Sequence, residues 1–89
     1  MFDLNEKEAL CRVRRYDLYR QDGLLSISVQ EMIAGESAYE FYAIPSLGGN
    51  LCDQEDYRGV GNSETEALKD CLRRIKGIST QLLFPPPAS

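Results

Sequence analysis

Asp53, Glu55 and Asp56 stand together in a stretch with neither helical nor strand period. Three carboxylates so close can hold a cation or divide acid and base roles between them. Their spacing matches no calcium-binding loop, and a solvated acidic loop is the plainer reading. The chain has no histidine. That removes the imidazole base and every nucleophile that depends on one, and it leaves a zinc framework incomplete. Cys11, Cys52 and Cys71 show no short pairing. They read as free thiols in a reducing compartment, with one disulfide in a secreted chain as the other possibility. Cys71 falls among apolar helix positions and is expected in the core; Cys52, in the irregular stretch, is expected to be the exposed thiol. No cofactor is expected.

Two further patterns bear on ligands. Gly59-Val60-Gly61 precedes a helix start, where amides can cradle phosphate. The third glycine of a dinucleotide fingerprint is absent, and Glu64 and Glu66 would repel an anion, so a pair of turn glycines is expected. Arg12, Arg14, Arg15 and Arg20 interleave with Tyr16 and Tyr19. An ordinary charged sheet face is the plainer reading; the alternative is a nucleic-acid surface, with arginines on phosphates and tyrosines on bases. Tyr39, Phe41 and Tyr42 read as core or subunit-interface residues.

These residues need elements to position them. The best-defined one is a helix opened by Ser63 and closed by Gly77. Ser63 can accept from the Glu66 amide while Glu66 reaches back to the Ser63 amide, a capping box. Ala67, Leu68, Cys71, Leu72 and Ile75 form one apolar stripe. Gly77 permits a left-handed stop, with Ile78 folding back on Leu72. Acidic residues at the start and Arg73, Arg74 and Lys76 at the end suit the helix dipole.

Ahead of the helix, residues 3–10 suggest a short helix capped by Asp3. Cys11 to about Gln21 reads as a strand with Tyr16, Leu18 and Arg20 on one face and Arg15, Asp17 and Tyr19 on the other. Gln21-Asp22-Gly23 is a turn. Leu25, Ile27, Val29 and Ile33 then alternate with polar residues, a half-buried strand over 24–33. A third strand over 38–44 is apolar on both faces and is expected to end at Pro45. Residues 45–58 are expected to be irregular, with Tyr57 to Gly61 adding a short extended segment before the helix. Gln81-Leu82-Leu83-Phe84 is apolar enough to dock, and 85–89 reads as an extended, disordered proline-rich tail.

The fold class expected is α+β: a two-layer domain over 1–84, a three-stranded antiparallel meander packed against one C-terminal helix, with the stripe facing Leu25, Ile27 and Val29. The 89 residues carry a net charge of −4, with 43% hydrophobic and 27% charged residues. That balance suits a soluble globular domain and disfavours general nucleic-acid binding. The N-terminus, Met1 to Glu6, is acidic and lacks an apolar core of signal-peptide length, and no stretch approaches the ~20 apolar residues that span a bilayer. A cytoplasmic protein without membrane contact is expected.

Ile44-Pro45-Ser46-Leu47-Gly48-Gly49, followed by Gly61-Asn62-Ser63-Glu64-Thr65-Glu66-Ala67-Leu68, resembles the HicB-like antitoxin family over roughly residues 11–78. That family shows Pro-Asp-Leu-Pro-Gly after a strand and then a Gly-Asp-Thr-x-x-Glu-Ala-Leu helix start. Ser46 and Gly48 stand where it has aspartate and the second proline, and Leu51–Arg58 is an added acidic segment. The resemblance implies a partial double-stranded-RNA-binding-like βββα layer that binds a small basic, toxin-like protein. The expected function is thus a non-enzymatic protein-interaction module, antitoxin-like and self-associating. Its candidate interaction residues are Arg12, Arg14, Tyr16, Arg20, Tyr39, Phe41, Asp53, Glu55 and Asp56. A nucleic-acid-binding domain using the basic first strand is the alternative.

Overall fold

Residues 3–85 are described by a computed structural model. Strand β1 (Leu10–Arg20) and strand β2 (Gly23–Ala34) form a long antiparallel hairpin, closed where Arg20 faces Gly23. Gly23 has φ +131°, a conformation that L side chains rarely adopt. The register sets Leu18 opposite Leu25, Tyr16 opposite Ile27 and Arg14 opposite Val29. Side chains alternate across a strand, so the even positions of β1 share a face with the buried Leu25, Ile27 and Val29. The face assignment expected from the sequence holds.

Strand β3 (Phe41–Leu47) starts later than the pattern suggested and runs through Pro45, which pairs with Ile27. The physical reason is directional. A strand residue's amide and carbonyl point to the same side, and the Pro45 carbonyl accepts from the Cys52 amide at 2.7 Å. The missing N–H therefore faces away from β2 and costs no bond in that ladder. On this outer side β3 holds two short strands, β4 (Asn50–Leu51) and β5 (Gly59–Gly61). The sheet is antiparallel with five strands in the order β1-β2-β3-β4, β5 also pairing β3. This corrects the three-stranded meander. It also corrects the irregular stretch 45–58, which contains β4 and a 3-10 turn over Glu55–Tyr57. Pattern reading missed both because a two-residue strand has no period to detect. Gly48 and Gly49, both at positive φ, close the tight β3–β4 hairpin.

The main helix α1 (Glu64–Ile75) begins as expected, Ser63 Oγ accepting from the Glu66 amide at 3.1 Å. The return bond differs: Glu66 accepts from the Asn62 amide at 3.1 Å rather than from Ser63. Gly77 adopts φ +77°. Ala67, Cys71 and Ile75 are buried, whereas Leu72 is 40% exposed and does not belong to the buried stripe. The helix lies closest along β5 and β3 and contacts β2 less. Leu25, Ile27, Val29, Ala43, Ala67, Cys71, Ile75 and Leu83 form one core, each large aliphatic worth about 1.5–3 kcal/mol when buried. Leu83 belongs to a short helix, α2 (Thr80–Leu83), whose first amide is capped from across the fold by Asp22 Oδ2 at 2.9 Å.

The expected helix over 3–10 does not form. The segment turns at Asn5–Glu8, the Glu8 carboxylate accepting from the Asn5 amide at 2.7 Å, and Lys7 takes φ +72°. Without an apolar stripe to bury, good helix formers alone do not sustain so short a helix. Of the expected tail, residues 86–89 lie outside the described residues. Among the described residues no helix is long and apolar enough to cross a membrane.

Candidate functional site

The sheet has two unlike faces. The helix side carries the core. On the other side, the odd positions of β1 and their neighbours on β2 and β3 form rows: Val13 with Gln30 and Tyr42, Arg15 with Ser28 and Ile44, and Asp17 with Ser26 and Ser46. Tyr19 pairs with Leu24 on the same face. No helix of the described residues lies over this face. Val13 is 55% and Tyr19 80% exposed, and Leu24 and Leu51 are also exposed. Ser26 Oγ donates to Asp17 Oδ1 at 3.0 Å, and Arg15 Nε lies 3.5 Å from the same oxygen, so this face has an ordered polar centre between apolar flanks.

The alternative reading of β1 as a nucleic-acid surface needs its arginines free, and Arg15 lies on the face opposite the others. The structure places Arg12, Arg14, Tyr16 and Arg20 together on the helix side, but engages each with an acceptor. Arg12 lies 3.6 Å from Glu31. Arg14 Nη1 lies 3.4 Å from Glu64 Oε2, and the Tyr16 hydroxyl donates to the other Glu64 oxygen. The acceptor carboxylate beside Tyr16 pushes its phenol above the usual value of 10.0. Arg20 donates to the Ile75 and Ile78 carbonyls, complementing the negative end of α1. Asp22, 4.0 Å from Arg20, is held below the ordinary carboxylate value chiefly by the Thr80 amide. Arg14, Tyr16 and Arg20 tether β1 to the main helix and its end.

Asp53, Glu55 and Asp56 remain together and exposed. Their segment is fixed through its backbone: Arg58 donates to the Cys52 carbonyl at 3.1 Å and Arg74 to the Asp56 carbonyl at 3.2 Å. Among the described residues no cation pairs with the three carboxylates, and no group of three or more such ligands is arranged to hold a metal. Tyr39 is exposed and lies before β3 rather than in it, edge-on to Tyr42 with ring centroids 6.2 Å apart. Phe41 is half-buried against the core.

All three cysteines are free. Cys52, expected to be exposed, is buried: its thiol donates to the Leu83 carbonyl at 3.3 Å, and Gln54 Nε2 donates to the Leu82 carbonyl at 2.8 Å. The irregular-looking stretch is therefore the dock for α2. Cys71 is buried beneath Gly59, and burial pushes its thiol up to about 12.

Gly59 and Gly61 are neither a phosphate cradle nor turn residues. They are strand residues against which α1 is pressed. A Cβ on Gly59 would lie 2.2 Å from the Ala67 carbonyl oxygen and 2.3 Å from the Cys71 nitrogen, and one on Gly61 would lie 2.6 Å from the Glu66 Cβ. The Val60 amide between them donates to Asp70 Oδ2 at 3.0 Å, which anchors β5 to the helix.

Sequence reasoning missed Glu64 as the anchor of β1, and missed the surface formed by Val13, Leu24 and Leu51. The alternation of β1 contained part of that surface; the rest depended on knowing which strands become neighbours. Comparison with protein-family models, with curated proteins and with solved structures finds no match to this chain.

Proposed function

We propose that this chain is a non-enzymatic protein-interaction module that self-associates and holds a small basic protein, in the manner that the HicB-like resemblance implies. The observation that carries the reading is the one-sided sheet: α1 and α2 cover one face, while Val13, Tyr19 and Leu24 stand exposed on the other beside an 11-residue strand, β1, with no partner on its outer edge among the described residues. Exposed apolar side chains beside unpaired backbone groups are what a protein partner covers. For the basic partner, the support is the exposed acidic segment Asp53, Glu55 and Asp56 together with the net charge of −4.

Light scattering of the full chain at high micromolar concentration tests self-association. A mass near twice 10.0 kDa is expected, and a strict monomer overturns that half of the reading. Co-purification with a small basic protein encoded beside its own gene tests the other half. Binding is expected to weaken when Asp53, Glu55 and Asp56 are changed together to lysine; unchanged binding overturns the acidic contact. The competing reading is a nucleic-acid surface on β1. Its support is the arginine content of that strand, against which stand the acceptors already engaging Arg12, Arg14 and Arg20. A rise in fluorescence anisotropy of labelled DNA or RNA at low salt, lost on Arg12→Ala with Arg14→Ala, would favour it.

A further inference from the structure

We infer that self-association occurs by antiparallel pairing of β1 with β1 of a second copy, about a twofold axis through Tyr16. This rests on the proposed self-association and specifies its geometry. Among the described residues β1 bonds to β2 on one side only; it runs from Leu10 to Arg20 without proline and has its single register irregularity at its first residue. It is a long, regular edge, which is the kind that accepts another strand.

Charge complementarity along β1 selects the register. In an antiparallel pair related by a twofold axis perpendicular to the sheet, residues directly opposite point to the same face. An axis through Tyr16 sets Arg15 opposite Asp17 of the second copy, and Asp17 opposite its Arg15. It also sets Val13 against Tyr19 twice, a β-branched residue against an aromatic one, and Tyr16 against itself. Opposite charges and aromatic–branched pairs are the favourable cross-strand combinations. Other axes fail on the same strand. Moving the axis to Arg15 opposes two Arg15 side chains, and moving it to Asp17 opposes two Asp17. An axis at Arg14 opposes two Arg14, and one at Val13 sets Arg12 against Arg14. An axis at Leu18 avoids like charges but shortens the pairing to Tyr16–Arg20.

With the axis at Tyr16 the pairing runs from Arg12 to Arg20. The one like-charge contact, Arg12 with Arg20 at each end, involves guanidinium groups already placed near Glu31 and Asp22. The two sheets become continuous, both α1 helices lie on one side, and Val13 and Tyr19, exposed on the face opposite the helices, cover each other across the join.

The test uses charge reversal in the full chain, read by sedimentation equilibrium. Each reversal acts twice because of the symmetry. Arg15→Asp alone and Asp17→Arg alone are each expected to weaken the dimer by about tenfold or more. An equimolar mixture of the two variants restores opposite charges at both positions and is expected to dimerise like the wild type, as is the double exchange R15D/D17R. Single variants that dimerise as the wild type does would overturn this register while leaving self-association standing. A wild-type chain that stays monomeric would overturn both. Hydrogen exchange on the unaltered protein provides a readout independent of the variants' folding: protection that rises with concentration is expected on β1 amides, and a rise confined to other elements would overturn the inference.

Discussion

The two ends of this sheet are built in opposite ways. At one end β5 is three residues long, and two of them are glycines pressed against the backbone of α1. At the other end β1 is 11 residues long; Leu18 packs against the core, and long polar side chains reach the helix: Arg14 and Tyr16 to Glu64, and Arg20 to the carbonyls at the helix end. Close backbone packing seals the β5 end, because no side chain stands between strand and helix. Tethering by extended polar side chains holds β1 in place without covering it. The same helix thus closes one edge and leaves the other free to meet a partner.

The contrast is most directly broken at Gly59. Gly59→Ala places a methyl group within 2.2 Å of backbone that a side-chain rotation cannot relieve, so a loss of about 3 kcal/mol or more is expected in urea unfolding. If stability is unchanged, the helix does not rest on β5 as described. Ile75→Ala, which hollows the core where the helix meets the hairpin, is expected to cost about 2–5 kcal/mol by the same measurement.

Asp70→Ala removes the acceptor for the Val60 amide and is expected to cost about 1–3 kcal/mol at neutral pH. Partial burial of Asp70 opposes its ionisation, but the Val60 amide and the Arg73 and Arg74 guanidinium groups outweigh that and hold the carboxyl below 3.8. Its ionisation therefore stabilises the fold above pH 3.8 and ceases to do so as pH falls through the lowered folded value. The gap between wild type and variant should narrow in acid; a gap independent of pH would show that the carboxylate's charge does not matter.

The smallest effect belongs to the tethered end. Tyr16→Phe keeps the ring and removes one bond to Glu64. The raised phenol of Tyr16 makes its contribution present below pH 10.0 and lost as pH rises through the higher folded value. An ultraviolet titration of the wild type should show one tyrosine ionising late, absent from the variant. If Tyr16→Phe destabilises as severely as Gly59→Ala, the two ends are not built differently.

Much of the fold could be read from local chemistry. The α1 start at Ser63, the stop at Gly77, the β1–β2 hairpin and its face assignment all rest on interactions within a few residues or on a strict period, and the structure has each of them. The failures have a common cause. Pro45 looked like a strand end because its lost N–H has a direction that only the neighbouring strands reveal. Cys52 looked exposed because Leu83, which buries it, is far along the chain. Gly59 and Gly61 looked like turn residues because a glycine required by a close-packed helix is identical in sequence to one required by a bend. The alternative of a basic nucleic-acid face on β1 stayed open in the sequence because Glu64, the partner of Arg14 and Tyr16, cannot be recognised until the helix is placed.

The sequence by itself determined where the long elements lie, which faces they bury and which acid–base chemistries have no histidine to support them. Periodicity, capping and residue type are local, and they act before the chain is folded. Only the tertiary structure decided which glycines seal an edge, which thiols are buried and which charges are already engaged. Each of those depends on what a residue meets across the fold, and the residues of β1 and α1 that meet there are about fifty positions apart.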